Sequence, residues 1–86
     1  MAHFEAVWER IQACAGLEFH TKTKLPFTYK IEATSVVPDP TGYPIHISQF
    51  RKAHALMPLR GPSEINERVR GPAYVYAILT DWRTRP

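Results

Sequence analysis

Arg-Gly-Pro occurs twice in this chain, at residues 60–62 and again at 70–72. Proline lacks an N–H and has a fixed φ, so it sits without loss at the first position of a helix and breaks one further in. Each tripeptide is therefore expected to end one helix and begin another, with Gly61 and Gly71 at the breaks and Pro62 and Pro72 at the two helix starts. About two helical turns fit between them, through Ile65 and Val69. Glu64 complements the positive end of that short helix. After Pro72, the residues Val75, Ile78, Leu79 and Trp82 recur at three- and four-residue steps, which predicts a last helix with one apolar stripe. Upstream, Ser48 reads as an N-cap for a helix over "QFRKAHALM" that Pro58 ends.

The first half follows a different period. Phe4, Val7, Trp8 and Ile11 are spaced for a helix over residues 3–15, stopped by Gly16 in a left-handed conformation. Leu17, Phe19 and Thr21, then Phe27, Tyr29 and Ile31, alternate with polar residues, which predicts two strands joined around Lys24, Leu25 and Pro26. Ser35, Val36 and Val37 make a short third strand, ended by Pro38 and Pro40. "PDPTGYPIHI" reads as a stiff loop. The expected fold class is α+β: an N-terminal helix, a small two- or three-stranded antiparallel sheet and three C-terminal helices. The expected core includes Phe50, Leu56, Ile65, Val69 and Trp82 beside the strand and helix stripes named above.

At 86 residues the chain makes a single domain, 1–86, and its 44% hydrophobic content suits a globular protein. Cys14 is the sole cysteine, so no internal disulfide forms. It lies in an apolar helical stretch and is expected to pack as a small hydrophobe. The opening "MAHFEAVWER" lacks the basic-then-apolar design of a secretory signal, and no run is long enough to cross a membrane. The expectation is a cytoplasmic protein with no membrane partner.

The pieces "FHTKTKLPFTY", "ISQFRKA", "GPSEIN" and "RGPAYVYAIL" together resemble a group of small, standalone, uncharacterised bacterial proteins of the kind carried on mobile gene cassettes. That resemblance spans most of the chain. The group has no assigned activity, so it implies no site residue.

Catalytic chemistry has no foothold in the sequence. His3, His20, His46 and His54 fall at no zinc spacing, and the carboxylates form no nuclease or hydrolase motif. No catalytic residue, metal or cofactor is expected, and the chain reads as a non-enzyme.

Charge points elsewhere. The net charge is +3, made of −1 over residues 1–43 and +4 over residues 44–86, where six of seven cations are arginine. Guanidinium pairs bidentately with phosphate, so a polyanion is a natural partner. The hairpin adds Lys22, Lys24 and Lys30, with Lys22, Lys30 and His20 sharing strand parity. Arg60 and Arg70 each stand just before a helix start, where a phosphate would also meet free amides. "VRGPAYVYAIL" is similar to the turn of a helix-hairpin-helix module but lacks its second glycine. The leading expectation is DNA or RNA binding of low sequence specificity through Lys22, Lys24, Lys30, Arg51, Arg60 and Arg70. The alternative is a protein interface, with another protein or a second copy, built on Tyr43, Tyr74 and Tyr76 with Arg83 and Arg85 in the tail.

Overall fold

The computed structural model describes residues 3–84. Its class is α+β, as the two periods imply. Helix α1 (Phe4–Ala13) is followed by β1 (Phe19–His20), β2 (Pro26–Glu32), β3 (Ser35–Asp39) and β4 (Ile45–His46). Then come α2 (Ile47–Ala55), a single 3₁₀ turn (Pro62–Ile65) and α3 (Pro72–Thr80). The strands form one antiparallel sheet in the order β1-β2-β3-β4.

The sheet therefore has four strands where two or three were expected. Strand β4 lies inside the stretch read as loop. It is only two residues long, too short to show a period, and it exists because Ser35 and Val36 pair with His46 and Ile45. Pro38 does not end β3. It lies within the strand opposite Tyr29 and is buried, beyond the reach of β4, so no neighbour on that side needs its missing N–H.

Alternation sets the two faces. Phe27 and Tyr29 point inward with Val36 and Pro38, while Thr28, Lys30 and Glu32 point outward. The inner face meets α1, α2 and α3 in one core that includes Val7, Ile11, Phe19, Phe50, Ile65, Val75 and Ile78. Phe19 contributes more than its two-residue strand suggests. Its ring lies 5.9 Å from that of Phe27 and 5.3 Å from that of Tyr29.

Two expected core residues are on the surface. Trp82 is 75% exposed and Leu56 is 38% exposed. Helix α3 stops at Thr80 and Asp81 is extended (φ −69°, ψ 139°), so Trp82, two residues past the helix end, does not continue its apolar stripe inward. Thr84 takes the buried place instead, its hydroxyl donating to the carbonyl of Ile78. Arg83 ties the same segment down by pairing with Asp81 at 2.9 Å, donating to the Glu18 carbonyl and lying 4.1 Å above the Phe19 ring. Leu56 is the C-cap of α2 and so falls outside the helix whose inner side it was expected to extend.

Helix α2 also begins earlier than expected. Its N-cap is His46, not Ser48, and the ring Nδ1 accepts from the Ser48 amide at 3.1 Å. An accepting Nδ1 leaves the ring proton on Nε2, which donates to the Thr34 hydroxyl at 3.2 Å. The short contact of Nδ1 with Ser48 Oγ, 2.9 Å, belongs to this cap.

The buried Tyr29 hydroxyl donates to the Ile11 carbonyl at 2.6 Å and pins the sheet to α1. Its pKa is pushed upward, chiefly by burial, with Cys14 and Asp81 adding to the shift and the Arg83 charge opposing it. The folded state thus holds the phenol proton more tightly than the unfolded chain. The resulting stabilisation is complete below the ordinary tyrosine value of about 10 and is lost as pH rises towards the folded value. The unfolding free energy from urea titrations should fall above about pH 10, by up to roughly 1.4 kcal/mol per pH unit. Tyr29→Phe should flatten that part of the profile. An unchanged slope in the phenylalanine variant would show that Tyr29 is not its source.

Candidate functional site

The two Arg-Gly-Pro tripeptides do different work. Gly61 is extended (φ −177°), and it begins a single 3₁₀ turn rather than a two-turn helix; α2 has already ended at Ala55. Gly71 is left-handed (φ 62°, ψ 49°), and it is the N-cap of α3 with Pro72 in the first turn. No side chain caps that end of α3.

The turn at Gly71 places the preceding segment against β4. A β-carbon on Gly71 would lie 2.7 Å from Ile45 Cδ1, so the chain passes Ile45 at a distance only glycine allows. Arg70 is held there by its own amide, which donates to Gln49 Oε1 of α2 at 2.9 Å. The result is a cleft of about 380 Å³ lined by Thr41, Tyr43, Ile45, Arg70, Gly71 and Tyr74. It falls in the size range of small-ligand sites. Its lining carries one cation and no carboxylate. Tyr43 is 73% exposed at one wall. Tyr74 is half-buried at the other, its ring held edge-on by Phe27 at 4.9 Å and 77°.

The structure thus joins residues that belonged to two separate expectations. Tyr43 and Tyr74 came from the protein-interface set and Arg70 from the phosphate-binding set, and they share one cleft. Tyr76 stands apart. It is half-buried, and its hydroxyl donates to the Arg60 carbonyl at 3.2 Å.

The remaining cations are distributed. Lys22 does not share a face with Lys30. It lies beyond the end of β1 and donates to the Arg60 carbonyl at 2.8 Å, its side chain crossing Gly61. Arg60 is bound through its backbone as well, its amide donating to Glu64 at 2.6 Å. Lys24 is exposed in the turn between β1 and β2, with a positive φ of 68°. Lys30 points away from the helices and pairs with Glu32 at 3.0 Å, on a cleft of about 450 Å³ that also carries Asp39. That outer cleft has mixed charge and no net attraction for an anion. Arg51, on α2, lies 5.2 Å above the Phe4 ring and clasps α2 to α1. Arg83 is occupied by Asp81 and Phe19, and Arg85 lies outside the described residues.

The residues sequence reasoning missed are Thr41, Ile45 and Gly71 as cleft walls. Tyr43 and Tyr74 are 31 positions apart, and nothing local indicates that they meet. The clue within the sequence was "PIHI", whose β-branched residues fit a short strand that would carry Tyr43 to the edge of the sheet.

Among the described residues, no helix is long and apolar enough to cross a membrane. Comparison with protein-family models, with curated proteins and with solved structures finds no match to this chain.

Proposed function

We propose that the protein is a non-enzymatic module that binds nucleic acid with low sequence specificity, through the cleft of Tyr43, Arg70 and Tyr74. One observation supports this above the others: two tyrosines and an arginine line a single cleft that has no carboxylate. Such a lining suits a ligand that is flat and aromatic at one point and anionic at the next. A nucleotide unit has that composition. Tyrosine faces stack with any base, and arginine forms paired hydrogen bonds with phosphate. No Asn, Gln, Asp or Glu side chain lines the cleft, so it lacks the usual means of reading adenine or cytosine edges. The lone buried thiol of Cys14 suits the reducing cytoplasm as the place of action.

Arg70→Gln tests this reading. The Arg70 side chain is exposed and its backbone is held independently by Gln49, so the variant should fold as the parent does. Anisotropy of a labelled oligonucleotide, titrated between about 50 and 200 mM salt, should show binding that weakens with salt. The variant should bind roughly tenfold or more weakly, the loss expected for one charge-assisted hydrogen-bond pair. Its log–log salt slope should be shallower by about 0.7 for a single strand or about 0.9 for a duplex. Salt-independent binding, or none, would reject the proposal.

A protein partner has one observation of its own in its favour. Leu25 is 63% exposed and Tyr43 is 73% exposed, each lining a cleft that Tyr74 also lines, and a contiguous apolar patch marks a contact site. Sedimentation showing a salt-insensitive dimer, with no oligonucleotide binding, would favour that reading.

A further inference from the structure

The Tyr74 ring borders two clefts. Beside the one shared with Tyr43 lies a second, of about 240 Å³, lined by Thr21, Leu25, Pro26, Phe27, Pro40 and Tyr74. Tyr74 is the residue common to both linings. The Phe27 ring packs against it edge-on from the sheet, with 4.9 Å between centroids. Neither lining contains a carboxylate, and Arg70 is the one cation between them.

We infer that these clefts seat two successive unpaired bases of a single strand, one in each cleft with Tyr74 shared between them, and with Arg70 taking the adjoining phosphate. The inference rests on the nucleic-acid reading above and narrows it. A duplex presents its sugar–phosphate backbone and the edges of its bases, while the base faces stay stacked inside. Apolar clefts walled by rings gain nothing from that surface. They gain from a base whose face is free, as single-stranded binding platforms do. A ring set between neighbouring bases opens the step between them, and Tyr74, common to both linings, is suited to that place. The second cleft has no charged group, so it contributes stacking and apolar contact alone. The first adds the anion contact through Arg70.

The probes are short labelled single strands with the same backbone. One carries thymine at every position and one is abasic throughout. Two others carry a pair of thymines, either adjacent or separated by several abasic sites. Anisotropy with the unaltered protein avoids any question of folding. The strand with adjacent thymines should bind nearly as tightly as the full strand. The abasic strand should bind at least tenfold more weakly, and the separated pair should fall between them. The full strand should also bind at least tenfold tighter than its duplex. Tyr74→Phe should keep this pattern, because the ring and not the hydroxyl forms the wall, and Tyr74→Ala should erase the advantage of adjacent bases. If the abasic strand or the duplex binds as well as the full strand, the two-base seat is overturned while salt-dependent backbone binding survives. If no strand or duplex binds, the nucleic-acid reading falls as well.

Discussion

Phe19→Ala is expected to lower the unfolding free energy by about 3–5 kcal/mol. That would be a large share of the total for a domain of this size, where the whole is of the order of 5–10 kcal/mol. Phe19 is 1% exposed, and it belongs to a strand of two residues at the sheet edge. Its neighbours explain the size of the effect. Phe27 and Tyr29 pack on it from β2, and Arg83 lies over it from the C-terminal segment. Removing the ring leaves a cavity that rigid neighbours cannot fill, and it also removes the surface on which Arg83 rests. Urea unfolding should show a lower midpoint with an unchanged slope. Arg83→Ala alone should cost about 1 kcal/mol, and the double variant should cost less than the sum of the two. A Phe19→Ala loss below about 1 kcal/mol would mean that the edge strand is not part of the core.

Gly71→Ala should cost about 2–3 kcal/mol, from two sources. A side chain in the left-handed region costs roughly 1–2 kcal/mol. Crowding of the buried Ile45 adds roughly 1 kcal/mol or more, because the new β-carbon would lie 2.7 Å from its Cδ1. Gly42→Ala separates the two. Gly42 is also left-handed, at φ 73°, but a β-carbon there meets nothing within 4 Å. It should show only the first cost. Equal losses at the two glycines would mean that Ile45 moves aside freely. The site offers a second readout. Because Ile45 and Gly71 both line the Tyr43 cleft, Gly71→Ala should also weaken oligonucleotide binding, while Gly42→Ala should leave it nearly unchanged.

The helices were legible where periodicity and breakers agreed. Val7 and Ile11 announced α1, and Pro72 marked the start of α3. The β2–β3 hairpin was harder to see. Its turn is Ala33–Thr34, and Ala33 takes a positive φ of 54° without the glycine or asparagine that normally signals such a turn. Strand pairing supplied the reason for that turn, with Glu32 opposite Ser35. The charged residues were legible as a composition but not as a surface. Lys30 and Lys22 have the same parity in sequence, yet Lys22 lies past the end of its strand and turns to Arg60. Parity holds only while a residue remains in the pleat.

What the amino-acid order settled by itself was local: which stretches repeat every two residues or every three to four, where proline and glycine interrupt them, and hence a mixed α+β domain. Those preferences arise between near neighbours in the chain, so they can be read without knowing the fold. The cleft is of another kind. Tyr43, Arg70 and Tyr74 meet because β4 pairs with β3 and because Gly71 passes close against Ile45. Only the folded chain decides this, because the contacts join segments far apart in sequence and form as the shared core is buried.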